Sequence, residues 1–224
     1  MTDFKKIRSE PSLTAYIKTP EGNGPFPAVI VFMHRPGADE SQQKVADDLA
    51  KAGFIGILHD SYREESIKDE YTDDTIFEDF EYTLNYIKNN LPQIDKDRIG
   101  IIGFCMGGRH VYLAASRYPE LKAAVSYYGF PAQGTTDVNT PMKQVENMSV
   151  PVLGIFGKQD HLFPFSDVEK FEKLLVPLSN KHKIIAYDDV GHGFLNPYSE
   201  KRYGDGVSAG KAWEETISFY KKNF

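Results

Sequence analysis

The spacing of hydrophobic positions changes several times along the chain. Residues 13–19 (LTAYIKT) alternate apolar and polar, the pattern of a half-exposed strand. Residues 27–33 (PAVIVFM) are continuously apolar, as expected of a strand buried on both faces. Residues 42–52 take up helical spacing and stop at Gly53, and FIGILHD (54–60) reads as the next strand. Over 74–90, Phe77, Phe80, Leu84 and Ile87 recur at intervals of three and four along an acidic helix. A strand over 98–104, a helix over 106–118 and a strand over 123–128 follow. Between 130 and 150 the pattern lapses into Pro, Gly, Thr and Asn. A loop of that length is expected to be functional, and at the carboxyl end of a strand it should overhang a pocket. The strand PVLGIFG (151–157), a helix over 166–178, the strand KIIAYDD (183–189) and a helix over 208–222 complete the chain. Strand and helix alternate throughout. This predicts an α/β domain spanning 1–224, with a mostly parallel central sheet and helices on both faces.

Composition narrows the partners. The 224 residues are 41% hydrophobic and 26% charged, with a net charge of -6. That balance disfavours nucleic acid and anionic membrane surfaces, which select basic patches. No apolar run approaches the length of a membrane span, and the N-terminus lacks the apolar core of a signal peptide. A cytosolic location is expected. The single cysteine excludes an intramolecular disulfide.

That cysteine stands at the sharpest predicted corner. Gly103-Phe104-Cys105-Met106-Gly107-Gly108 joins a buried strand to a helix, and it has the G-x-S-x-G form of a nucleophile elbow with cysteine in place of serine. Small residues are needed there because strand and helix approach closely. The helix N-terminus beside the thiol favours its reactive thiolate form. A nucleophile requires a base, and the base an orienting acid. Asp160 falls just after the strand 151–157, and His192 lies in a glycine-flanked loop after the next strand. Both should stand beside the elbow. Asp160 also suits a cap for the segment that follows, and Asp167 is a competing acid. Of the other histidines, His34 and His59 lie near strand ends, and His110 falls inside the elbow helix. His161 precedes the needed loop, and His182 opens a strand where exposure is expected. The acidic run at 64–74 reads as a solvated surface.

With GFCMGG at the elbow, YYG at 127–129, GKQDHLFP around Asp160 and GHGF around His192, the chain resembles the dienelactone hydrolases. These are the carboxymethylenebutenolidases of the α/β-hydrolase fold, and the likeness runs from about Pro27 to Phe219. It implies Cys105 as nucleophile, His192 as base and Asp160 as its partner, with no metal or organic cofactor. It implies a small-molecule ester or lactone as substrate. An oxyanion hole is expected from the backbone N–H of Met106 and from the MHRPG loop, where Pro36 has no N–H, so Arg35 is the candidate with Gly37 behind it. His34, Arg35, Tyr128 and Phe194 are expected to line the substrate pocket. Two features depart from the family pattern. Arg35 stands about where an acidic residue is usual, and Asn196 replaces a basic residue after the histidine, the next arginine being Arg202.

A thiolate leaves a tetrahedral intermediate more readily than an ordinary alkoxide, so a cysteine nucleophile suits activated esters and enol-lactones. The expectation is therefore hydrolysis through a thioester. The alternative is a non-catalytic receptor or redox sensor with Cys105 as a covalent or oxidisable trap. A sensor has no need of Asp160 and His192.

Overall fold

The computed structural model describes residues 4–62, 72–133, 140–195 and 206–224. Its strands are β1 (Phe4–Arg8), β2 (Leu13–Lys18), β3 (Phe26–Phe32), β4 (Ile55–Asp60), β5 (Ile94–Phe104), β6 (Ala123–Tyr127), β7 (Val152–Gly157) and β8 (Lys183–Tyr187). They form one eight-stranded sheet in the order β1-β2-β4-β3-β5-β6-β7-β8. β1–β2 and β2–β4 pair antiparallel, and every other pair is parallel. This is the α/β-hydrolase arrangement. The short β1 lies outside the predicted elements: FKKIR shows its lysines to solvent and acquires strand form by pairing with β2.

Five helices cover the sheet: α1 (Glu40–Lys51), α2 (Asp73–Asn90), α3 (Met106–Arg117), α4 (Phe165–Leu175) and α5 (Val207–Asn223). The continuous apolar runs are explained by two cores. In β3, Ala28, Ile30 and Phe32 face one core with α2, α3 and α4, while Val29 and Val31 face another with α1 and α5. α1 starts where Asp39 accepts the Gln42 N–H, and α2 where Thr72 accepts the Thr75 N–H. From β3 the chain crosses to β4, then returns to β5 on the other side of β3. The loops after β3 and β5 therefore part at this switch point and leave a crevice between them.

Residues 140–150 are more ordered than their composition suggests. Residues 134–139 lie outside the described residues, but 141–143 and 145–147 form single 3-10 turns. Val145, Met148 and Val150 are buried in the core that holds α3. This part packs rather than overhangs.

Candidate active site

One residue, Cys105, separates β5 from α3. Its backbone, at φ 55 and ψ -115, lies where residues other than glycine are strained, at a cost on the order of 1–3 kcal/mol. Two hydrogen bonds hold it. Cys105 N–H donates to the Tyr127 carbonyl at 3.0 Å, and the Cys105 carbonyl accepts from Arg109 N–H at 3.2 Å. The glycines are obligatory. A Cβ on Gly103 would meet the Gly107 carbonyl oxygen at 2.2 Å, and one on Gly107 would meet that of Phe32 at 2.1 Å. The side chain of Cys105 is thus turned above the sheet, half-exposed, at the positive end of α3.

The other two candidates arrive from β7 and β8. Asp160 follows β7, and its two oxygens make different contacts. Oδ1 accepts from Leu162 N–H at 2.9 Å and closes the local turn, while Oδ2 lies 2.7 Å from His192 Nδ1. Gln159 N–H donates to the Val190 carbonyl at 3.0 Å, tying the Asp160 loop to the His192 loop. Their approach needs Gly157, where a Cβ would lie 2.3 Å from the Val190 oxygen. The His192 ring is walled by Tyr128 at 4.8 Å, Phe130 at 5.6 Å and Phe163 at 6.4 Å between centroids. Burial alone would depress its pKa, but the bond to Asp160 and the nearby Cys105 side chain overcome this and raise it to about 9. Nε2 is buried at the other end of the ring, where the Cys105 side chain is its neighbour. Asp167 points elsewhere, towards Lys170 at 3.3 Å.

The loop after β3 adds a turn closed by Gly37 N–H to the His34 carbonyl at 3.0 Å. That bond occupies the N–H of Gly37, the second-choice oxyanion donor. Arg35 is exposed within this turn, and Met106 begins α3 with its N–H at the helix end. His34 is buried, and its Nε2 lies 2.8 Å from Asp39 Oδ2. Tyr128 is also buried, at φ 40, with its hydroxyl pKa raised well above the ordinary value by burial and by the charges of Cys105, its neighbour Tyr127 and Asp160. Phe194 is 1% exposed and packs on Tyr127, Tyr128 and Tyr187. Asn196 and Arg202 lie outside the described residues.

His161 is exposed, and His59 is buried with its ring against Phe32. His182 is not exposed as expected. It is buried because its Nδ1 accepts the Val152 N–H at 3.2 Å, a donor at the start of β7. The acidic run is not wholly solvated either. Residues 64–71 are outside the described residues, but Asp73 is buried and takes a bidentate pair from Arg109 at 2.6 and 2.8 Å. His110 Nε2 adds a contact to Asp73 at 3.2 Å. Burial opposes the Asp73 charge, yet the Arg109 and His110 bonds prevail and hold its carboxyl well below the usual carboxylate range. Sequence reasoning missed this cluster. Its signal was Arg109 itself, a charge on a helix face otherwise made of Gly107, Gly108, Val111 and Tyr112, which demanded a buried partner. Among the described residues no group of three or more His, Cys, Asp or Glu could hold a metal ion, and no helix is long and apolar enough to cross a membrane.

Known proteins share this framework. A protein of Escherichia coli (strain K12) assigned as a carboxymethylenebutenolidase is 29% identical over 98% of this chain and 86% of its own. A Bradyrhizobium protein that bears the name of a 2-oxo-3-(5-oxofuran-2-ylidene)propanoate lactonase is also 29% identical, over 94% of this chain and 89% of its own. A crystal structure of a protein assigned as a dienelactone hydrolase from Klebsiella pneumoniae superposes with a TM-score of 0.84 at 26% identity, covering 94% of this chain and 93% of that one. The family model described as "Dienelactone hydrolase family" matches residues 13–224. The chain belongs to the dienelactone hydrolase family.

Proposed function

We propose that the protein hydrolyses enol-lactones or activated small esters with Cys105 as nucleophile, His192 as proton carrier and Asp160 as its orienting acid. The observation that carries this reading is the 2.7 Å bond from Asp160 to His192 Nδ1, with the Cys105 side chain of a strained elbow as the neighbour of the same ring. A histidine with a pKa of about 9 is a strong proton acceptor, so transfer of the thiol proton to Nε2 gives the attacking thiolate and an imidazolium. The sulfur adds to the acyl carbon, and the Met106 and Arg35 backbone N–H groups receive the developing oxyanion. The C–O bond then breaks, and His192 Nε2 delivers its proton to the leaving enolate or phenolate. The neutral imidazole next takes a proton from water. The resulting hydroxide adds to the thioester carbon, the thiolate leaves, and the acid product departs with the imidazolium restored. The lactonase named among the relatives supports lactones, and the thiolate's leaving ability favours a stabilised leaving oxygen. Pocket contacts from His34, Arg35 and Tyr128 belong to the same reading.

Turnover of p-nitrophenyl acetate tests it. Sustained turnover that disappears in Cys105→Ala supports a catalytic thiol. Release of one equivalent followed by silence would instead identify a covalent receptor or redox sensor. A panel of lactones and esters of differing charge then ranks the substrates.

A further inference from the structure

The proposed reaction uses none of the charge buried behind the elbow. Arg109 lies one helical turn after Cys105 and is 2% exposed. Its guanidinium binds in two directions at once. Two N–H groups meet the Asp73 carboxylate at the start of α2, and Nε donates to the Gln133 carbonyl at 2.7 Å. Buried ion pairs of this kind add little net stability over an apolar packing of equal volume. What a planar fork adds is geometry, because it fixes two partners relative to one another.

One of those partners bears on the proposed site. Gln133 stands three residues after Phe130, in the segment that leaves β6. The Phe130 ring packs on His192 at 5.6 Å with 33° between the planes, and on Phe163 at 5.3 Å. Met142 N–H gives the segment a further tie, to the Pro131 carbonyl at 2.9 Å. Without Arg109 the Gln133 carbonyl would lose the strongest donor beside it, a charged one.

We infer that Arg109 is a positioning residue: it fastens residues 130–133 to the helix that carries Cys105 and thereby fixes Phe130 against the ring of His192. This rests on the reading of His192 as the proton carrier. The choice of arginine follows, since a lysine ammonium can pair with Asp73 but has no fixed second donor equivalent to Nε for the Gln133 carbonyl.

The test is Arg109→Lys, which keeps the charge, compared with Phe130→Ala and the double variant. In Arg109→Lys we expect kcat for p-nitrophenyl acetate to fall about tenfold with KM nearly unchanged, a loss of the size that small misplacement produces. The double variant should be no slower than Phe130→Ala alone. Hydrogen–deuterium exchange should quicken in a peptide covering 129–133 while the core strands keep parental protection. Parental kcat and parental exchange in that peptide, even with a lowered melting temperature, would overturn the inference, as would additive effects in the double variant. If Arg109→Lys does not fold, parental kcat in Phe130→Ala overturns it instead. Should the parent turn over no ester, the reading of Cys105 fails, and the exchange comparison alone still decides whether Arg109 holds the segment.

Discussion

Two charged clusters flank α3, and they differ in how far their hydrogen bonding is completed. Behind the helix, Asp73 is closed off: both oxygens are engaged by Arg109, His110 supplies a third contact, and all three residues are buried. At the helix N-terminus, Asp160 and His192 are equally well joined at 2.7 Å, but the chain of contacts runs on through the ring to Cys105, which is half-exposed. A saturated cluster fixes positions, and an unsaturated one retains a place for a reacting atom. The same residue chemistry thus supports structure on one side of a helix and proposed catalysis on the other.

Removing either end of the open cluster should have the largest effect. Cys105→Ala and His192→Ala are each expected to lower kcat by at least about a thousandfold; Cys105→Ala should leave thermal unfolding nearly unchanged, whereas His192→Ala also loses the stabilisation tied to the protonated ring. The double variant should be hardly worse, because such groups act as a unit. Unchanged turnover in Cys105→Ala ends the proposed mechanism.

The two aspartates separate the clusters most sharply. Asp73→Ala strands a buried guanidinium and should cost about 3–5 kcal/mol in urea unfolding. Asp160→Asn should lose less stability than Asp73→Ala, because Asn keeps an oxygen for the Leu162 N–H, but lower kcat by roughly 10²–10⁴, because an amide favours the wrong tautomer of the base. If the two variants lose stability equally, the contrast between the clusters is wrong.

Cys105→Ser should fold and lose most of its activity on activated esters, since a smaller and less acidic oxygen would sit at a position set for sulfur. A serine variant as fast as the parent would show that the site is not specialised for a thiol.

The smallest effect expected is on stability against pH. His192 has an ordinary pKa of 6.5 and a folded value of about 9, so the fold favours its protonated form. The associated stabilisation is complete below pH 6.5 and is lost as pH rises through 9. Urea midpoints across that window should fall further for the parent than for His192→Gln. Parallel curves would place the raised value in doubt.

Sequence alone conveyed the elements best where burial is two-sided. The runs in β3 and β7 have no polar position to confuse the period, and the glycines at 103 and 107 announced a close approach that their carbonyl distances explain. Asp160 and His192 could be grouped because each follows a legible strand, and the structure brings them together. What stayed hidden depends on partners remote in the chain. β1 is too short and too charged to be seen without β2, and Asp73 looked like one more surface acid until Arg109 faced it. His182 sits in a polar stretch, yet an unclaimed backbone N–H across the strand start draws it inward.

The strand order also schedules when the protein can react during its synthesis. Cys105 leaves the ribosome with β5, whereas the acid and the base follow only with β7 and β8 at the far edge of the sheet. A growing chain therefore holds a thiol without its proton carrier, and an early-arrested fragment should remain inert towards esters. On the proposed mechanism, reactivity would need β7 and β8 in place, which makes ester turnover a measure of completed assembly as much as of chemistry.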